Sequence, residues 1–398
     1  MNYTLKSSSS KRFIVMLAAI SAFGPLCIDL YLPALSDIAD HYRSTIEWAE
    51  YSISIFFLGF GIGQLVGGPL SDNFGRKPTI IQGLGILSIS TIGIIFSPEI
   101  EWLIFFRLIQ AIGGGLVVVN ASAIVRDYFD GSESASILSN VASITMLAPM
   151  VAPLIGSYIL KFGDWKTIIF FMLVYAVVLM TVVQFTLKES LQATNQANSL
   201  NKILDNYKQV FKSKYGMGYL LAGSFATAGM FTFITKSSYI YMDYFGVSSD
   251  LFPYFFGANV LVMILLTKLS ARIVKKHSPH TMVKSGLIIN SLAGLALLLY
   301  TQMTSSPQLH VVLVLNICFI GSLGFIYGNV SACFLSYFPN FSGSANSLFG
   351  IIRFTLGSLA GVVVALFGTN IQAPFIVMFL CAAIASVSFA LLTPKSGK

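Results

Sequence analysis

Twelve long apolar segments occupy most of this chain of 398 residues. A helix needs about 20 mostly apolar residues to cross the hydrocarbon core of a bilayer, and each of these segments is long enough. Membrane-spanning β-strands would instead alternate in polarity over about ten residues. We therefore predict an all-α polytopic membrane protein with twelve transmembrane helices. The predicted spans cover residues 12–34, 48–70, 79–97, 101–123, 135–160, 165–187, 217–243, 251–271, 281–301, 308–335, 343–367 and 372–392.

Composition agrees with this class, because 55% of the residues are hydrophobic and only 10% are charged. An ordinary soluble domain has about 25% charged residues. The first segment follows Lys6, Lys11 and Arg12, a basic start that is also typical of a secretory signal. Its apolar core is too long for a signal peptide and contains Asp29 and Pro33. We therefore expect it to be retained as the first span.

The basic residues are distributed unevenly between the two predicted faces of the membrane. With the N-terminus in the cytoplasm, only Arg43, Lys161 and Lys166 fall on the outer face. This positive-inside pattern predicts that both the N- and C-termini are cytoplasmic. It also accounts for the formal net charge of +8, so we expect no binding of nucleic acid.

The longest polar interruption separates the sixth span from the seventh. It covers residues 188–216 and is rich in Asn, Gln, Ser and Lys. We predict a six-helix N-terminal bundle over 1–187, a cytoplasmic linker over 188–216 and a six-helix C-terminal bundle over 217–398.

Metal sites and enzymatic motifs are not expected in this chain. The four cysteines lie inside apolar spans and the four histidines lie in loops or at helix ends, without the spacing of metal ligands. Neither H-E-x-x-H, G-x-S-x-G nor a phosphate-binding G-x-x-x-x-G-K-[ST] loop is present. We predict no enzyme activity, no catalytic residues and no cofactor.

Asp29 and Arg107 are candidates for the functional centre. A charge in the bilayer core costs at least about 2.5 kcal/mol, so it normally faces a partner or a wet cavity. Both residues are predicted at nearly the same depth, on the first and fourth spans. One interpretation is a proton switch, in which protonation of Asp29 weakens its coupling to Arg107 and competes with a cationic substrate. The other is a permanent ion pair that holds the two helices together. Gln110 either orients Arg107 or makes a separate contact between helices.

The turn between the second and third spans carries a recognisable motif. It reads Gly68-x-Leu70-Ser71-Asp72-x-x-Gly75-Arg76-Lys77 and resembles the G-x-L-a-D-x-x-G-R-K signature of the major facilitator superfamily. Glycine permits close backbone approach and tight turns, and basic residues retain a loop in the cytoplasm. We expect either a cytoplasmic gate, with Asp72 pairing with Arg126 when the inner side closes, or a simple topological anchor.

Two further motifs resemble that superfamily. Leu103-x-x-x-Arg107-x-x-Gln110-Ala111 is similar to its span-four motif, whose arginine is associated with proton transfer. The resemblance implies that role for Arg107. The fifth span contains Ala148-Pro149-x-x-Ala152-Pro153-x-x-Gly156-Ser157, which is similar to the antiporter motif. Its prolines bend a helix, and the bend implies either antiport or a kink without directional meaning.

A narrower resemblance runs from the first span to the eleventh. Asp29-Leu30-Tyr31-Leu32-Pro33-Ala34-Leu35, and Phe338 to Leu348 followed by Arg353, resemble the Bcr/CflA family of bacterial multidrug:proton antiporters. This resemblance implies a monomeric inner-membrane transporter that exports drugs or other amphipathic compounds by alternating access, driven by the proton gradient. The alternatives are a proton-coupled exporter of a specific metabolite such as an amino acid, and a non-transporting receptor or scaffold.

The sequence leaves the roles of two basic residues in the predicted spans undecided. Lys236 departs from the family pattern; it either changes which substrate charges are accepted or extends to the outer interface, and we favour the second interpretation. Arg353 either joins the gate or faces the cavity.

Overall fold

The computed structural model describes residues 7–129, 131–190 and 200–394, and every regular element in these ranges is helical. The α-helices are α1 Ser7–Asp29, α2 Leu35–His41, α3 Ile46–Phe74, α4 Arg76–Ile95, α5 Ile100–Tyr128, α6 Gly131–Thr145, α7 Ala148–Leu160, α8 Trp165–Thr186, α9 Leu200–Lys212, α10 Lys214–Ser238, α11 Phe252–Ile273, α12 Pro279–Met303, α13 Leu309–Ser336, α14 Ser342–Ala365 and α15 Gln372–Leu392.

Twelve helical spans in the described residues are long and apolar enough to cross a membrane, which confirms the predicted number. The first span extends further than predicted, over Lys11–His41 instead of residues 12–34. It continues past Pro33 because a short 3₁₀ turn, Leu32–Ala34, joins α1 to α2. Proline is tolerated in the first turn of a helix, where its missing N–H has no partner to lose.

The fifth span is interrupted instead of continuously bent. Helix α6 ends at Thr145 and α7 begins at Ala148, with Pro149 in its first turn and Pro153 inside it. Near the middle of α7, Gly156 lies against the backbone of Leu30, where an added Cβ would lie 3.1 Å from the carbonyl carbon. A glycine is needed here because α7 packs directly on the chain that follows Asp29.

Two compact units can be distinguished in the fold. One comprises Met1–Ser44 with Ile55–Asn198, and the other comprises Thr45–Ser54 with Ser199–Lys398. Helix α3 is therefore shared, since its first residues belong to the second unit and the remainder to the first. Helix α9 forms part of the predicted linker, of which residues 191–199 lie outside the described residues.

A stripe of glycines brings α3 and α5 into backbone contact within the first unit. Gly59, Gly63 and Gly67 follow one another at intervals of four residues and therefore share a face of α3. An added Cβ on Gly63 would lie 2.9 Å from the Cα of Gly115, and one on Gly67 would lie 3.1 Å from the Cα of Leu116. Small residues are a common device for close packing of helices in lipid, where no hydrophobic effect draws them together.

We predict that Gly63→Ala destabilises the protein by about 1–3 kcal/mol, because the new methyl group must displace the backbone of α5. The apparent melting temperature of the purified protein in detergent should fall accordingly. Gly85→Ala is the matched control, because its added Cβ would project into open space. Equal melting temperatures for the two variants would contradict the close packing of α3 on α5.

Candidate functional site

Arg107 is completely buried at the end of α1. Its Nη1 and Nη2 both donate to the carbonyl oxygen of Cys27 at 3.2 Å. Helix α1 ends at Asp29, and the Tyr31 N–H donates to the carbonyl of Ile28. The Cys27 carbonyl thus belongs to the last turn of a helix, where carbonyls lack regular partners and carry partial negative charge. The guanidinium is a suitable partner for this end in both charge and hydrogen bonding.

Two rings and one amide fix the orientation of the guanidinium. Its Cζ lies 4.4 Å from the ring centroid of Tyr31 and 4.5 Å from that of Phe56, which are cation–π distances. Nη1 also donates to Gln110 Oε1 at 2.7 Å, and Gln110 Nε2 donates to Thr91 Oγ1 at 2.8 Å. Arg107 and Gln110 therefore connect α1, α4 and α5, and Gln110 makes both of the contacts that the sequence left open, one to the arginine and one to another helix.

Asp29 lies close to this cluster in sequence but does not join it. The side chain is buried, with 3% of its surface exposed. Within the described residues, the partners of the Arg107 guanidinium are the Cys27 carbonyl, Gln110 and the two rings, and not the Asp29 carboxylate. The sequence interpretation is therefore corrected: Asp29 and Arg107 do not form a direct pair in this structure. Equal depth on two helices does not fix the direction in which each side chain projects.

A second cluster surrounds Arg76 at the turn between α3 and α4. Arg76 is 9% exposed, and its Nε donates to Asp127 Oδ2 at 3.0 Å. Its Nη1 donates to Ser71 Oγ at 2.7 Å and forms an ion pair with Asp72. The predicted pair of Asp72 with Arg126 is not formed in this structure, where Arg126 is exposed. Successive residues of a helix point about 100° apart, so Asp127 faces the cluster and Arg126 does not.

The start of α4 is capped by a residue distant in sequence. Gly75 has φ of 104°, a conformation that favours glycine, and offers no side chain to cap the helix. The Glu189 carboxylate takes this role, accepting from the N–H groups of Arg76 at 3.0 Å and Lys77 at 3.1 Å. The Lys77 Nζ in turn donates to the carbonyl of Gln184 near the end of α8, at 2.7 Å. These contacts tie the end of α8 to the start of α4.

The remaining glycine of the motif, Gly68, lies inside α3, where its carbonyl accepts from Ser71 Oγ at 3.0 Å. Backbone approach to α5 is made by its neighbour Gly67. Sequence reasoning missed Asp127 and Glu189. The signal for Asp127 was its place beside Arg126, whereas Glu189 lies within the predicted cytoplasmic linker.

The Lys236 side chain does not extend to solvent, which corrects the interpretation favoured from the sequence. Its side chain is fully buried and its Nζ lies 2.7 Å from Oε2 of Glu50, which is equally buried. Both residues belong to the second unit. Sequence reasoning did not identify Glu50, although a carboxylate within a predicted span was the available signal.

Arg353 lies in α14 among aromatic residues. Its Cζ is 5.1 Å from the ring centroid of Phe354 and 5.8 Å from that of Phe349. Its buried Nε has no hydrogen-bond partner among the described residues. In the same described ranges, no cluster of three His, Cys, Asp or Glu side chains is arranged to hold a metal ion.

We predict that Asp127→Asn lowers the free energy of unfolding by about 2 kcal/mol, because a buried guanidinium loses a charged hydrogen-bond acceptor. Asp127 is the better buried of the two carboxylates on Arg76, with 21% of its side chain exposed against 44% for Asp72. Thermal unfolding in detergent measures the change. Arg126→Gln is the neighbouring control and should change stability by less than about 0.5 kcal/mol. A larger loss of stability in Arg126→Gln than in Asp127→Asn would show that Arg126 contributes more to this cluster than Asp127 does.

The comparisons with known proteins extend over nearly the whole chain. The sequence profile of the Major Facilitator Superfamily matches residues 14–362. The bicyclomycin resistance protein homolog of Haemophilus influenzae is 32% identical over 388 residues, with 97% of each chain covered. Multidrug resistance protein MdtL of Vibrio parahaemolyticus is 23% identical, with 96% of each chain covered.

Solved structures share the fold at low sequence identity. The partially occluded, inward-open xylose transporter XylE from E. coli has a TM-score of 0.72 at 15% identity, covering 97% of this chain and 99% of that one. Taken with the profile match and the relative in H. influenzae, this likeness shows that the chain belongs to the Major Facilitator Superfamily, whose members are membrane transporters and not enzymes.

Proposed function

We propose that this transporter exports drugs or other hydrophobic and amphipathic compounds from the bacterial cytoplasm in exchange for protons, by alternating access. The relatives named for bicyclomycin resistance and multidrug resistance support drug efflux. The positive-inside pattern supports an inner-membrane location with both termini in the cytoplasm. In this proposal residues 1–187 and 217–398 are the two moving halves, and the monomer is the working unit.

The observation that carries proton coupling is the burial of the Asp29 carboxylate at the end of α1. A carboxylate in a membrane span is a candidate functional site, because its charge is costly unless partnered. Arg107 is already held by the Cys27 carbonyl and Gln110, so it does not neutralise Asp29 through a direct pair. Asp29 is then suited to exchange its charge with a proton or with a cationic substrate. Arg107 supports the end of α1, where Asp29 lies.

The interrupted fifth span also supports antiport, because it contacts the chain next to Asp29. Helix α7 begins with the proline motif, and its Gly156 packs on Leu30, the residue that follows Asp29. A change in the position of α7 would therefore act directly on the chain that carries the carboxylate. The cluster around Arg76 is proposed to act as the cytoplasmic gate.

The proton gradient is a sufficient source of energy without a cofactor. One charge that crosses roughly 150 mV releases about 3.5 kcal/mol. Since about 1.4 kcal/mol corresponds to a tenfold ratio, this sustains a gradient above about a hundredfold for a neutral substrate exchanged against one proton.

Arg353 favours a second candidate function, the proton-coupled export of a small metabolite such as an amino acid. Its buried Nε lacks a hydrogen-bond partner among the described residues, and the carboxylate of an amino acid is a matching acceptor for a guanidinium.

We predict that Asp29→Asn abolishes active efflux while the protein still inserts, because an amide cannot cycle between charged and neutral forms. Efflux of a fluorescent cationic dye from energised cells, at matched membrane abundance and with and without a protonophore, measures this. The variant rate should fall to that of protonophore-treated wild-type cells. Asp37→Asn is the control, since Asp37 is an exposed carboxylate of the same span and should leave efflux unchanged.

Two results would count against the proposal. Active efflux in Asp29→Asn at the wild-type rate would remove Asp29 from proton coupling. No dye export by the wild type, despite good expression, would contradict broad cation efflux. Proton-driven uptake of labelled amino acids into inverted vesicles, lost in Arg353→Gln, would then establish the second candidate.

A further inference from the structure

Two oppositely charged side chains meet inside the second unit. Glu50 lies in the second turn of α3 and Lys236 lies near the end of α10. The Lys236 Nζ and Glu50 Oε2 are 2.7 Å apart, and neither side chain has any exposed surface. The pair therefore joins α3 to α10 without access to solvent.

The surroundings of the pair satisfy the lysine better than the glutamate. Lys236 Nζ also donates to the Gly368 carbonyl at 2.9 Å and lies 4.9 Å from the ring centroid of Tyr239. The Tyr239 hydroxyl donates to the Thr369 carbonyl, so the ring is held to the same loop. Among the described residues, Glu50 Oε1 has no hydrogen-bond partner. The lysine is consequently the main support for this buried carboxylate.

Stability alone is a weak explanation for such a pair. Two charges lose their hydration on burial, and their attraction only roughly repays that cost, so apolar side chains of similar size often stabilise a fold as well. Removal of one partner is different, because it leaves the other charge buried and uncompensated. A buried pair thus selects one arrangement of its two helices strongly, and selection of one arrangement is its best-attested role.

The same end of α3 is closely packed beyond the pair. One turn after Glu50, the fully buried Ser54 lies against Gly361 of α14, where an added Cβ would be 3.2 Å from Ser54 Cβ and 3.1 Å from Thr235 Oγ1. Residues 45–54 of α3 belong to the second unit, whereas the remaining residues of this continuous helix belong to the first. The ion pair therefore lies in the part of α3 that belongs to the second unit.

We propose that Glu50 and Lys236 form a latch that holds the first turns of α3 against α10 and α14, and that opens and re-forms in each transport cycle. The inference rests on the proposed function, because alternating access supplies the movement that opens the latch. In the latched arrangement Ser54 is shielded, and separation of the pair exposes it.

Accessibility of a cysteine at Ser54 tests the latch without a transport substrate. The four native cysteines are replaced by serine, Ser54→Cys is introduced, and a membrane-impermeant maleimide is applied to each face of the membrane in turn. We expect Glu50→Gln and Lys236→Met each to raise labelling by about tenfold, because the latched arrangement loses an interaction that the open one lacks. The charge exchange Glu50→Lys with Lys236→Glu should return labelling to the wild-type level.

Two controls separate a latch from general loosening of the fold. Asp205→Asn removes a largely exposed carboxylate of the same unit and should leave labelling unchanged. A second reporter, Ser322→Cys, replaces an equally buried residue of the same unit that is hydrogen-bonded to Asn290. Opening of the latch exposes the cysteine at position 54 alone, whereas partial unfolding exposes both cysteines.

The proposal is overturned by unchanged labelling in the single variants, or by equal labelling of the two reporters. If the single variants fail to accumulate, the charge exchange alone decides: wild-type labelling supports the latch, and raised labelling contradicts it. If the drug-export proposal is wrong, the wild type will show no dye efflux. That outcome would leave the labelling result unaffected, so the two failures are distinguishable.

Discussion

A charge that is buried in this protein must find its partners within the protein, and this requirement organises the structure. It is met in three different ways. Arg107 is held by a helix-terminal carbonyl, an amide and two rings, Arg76 by two carboxylates and a hydroxyl, and Lys236 by one buried carboxylate and a carbonyl. Each solution joins helices that are separate in sequence. The charged residues thus help to determine which helices lie together, as the glycines of α3 do where that helix packs on α5.

Helix ends inside the spans are a second feature that needs partners within the protein, because they leave backbone groups without their regular hydrogen bonds. An uninterrupted helix satisfies its own backbone, but α1 ends at Asp29 and α7 begins at Ala148, both within predicted spans. The Cys27 carbonyl in the last turn of α1 accepts from both terminal nitrogens of Arg107. The end of α1 and the arginine therefore depend on one another. In the candidate centre, a side-chain guanidinium hydrogen-bonds a backbone carbonyl at a helix end.

Sequence reasoning predicted the spans well, because hydropathy and length are properties of each segment by itself. It also identified Arg76, Arg107 and Gln110, which lie in motifs. It was wrong about Lys236, since the partner at Glu50 lies in a distant span and only tertiary packing brings the two together. The choice between Arg126 and Asp127 required the rotational phase of α5, and depth along a helix does not supply that. The cap supplied by Glu189 required the path of the chain after α8.

Helix α3 carries two faces whose angular relation is fixed by the length of chain between them. The glycine stripe packs on α5, and Glu50 reaches Lys236 from the earlier turns of the same unbroken helix. One extra residue between Glu50 and Gly59 would turn the two faces by about 100° relative to one another. A change in the length of α3 between these residues therefore alters the angle between its two contacts, whereas a substitution on a face that makes neither contact leaves that angle unchanged.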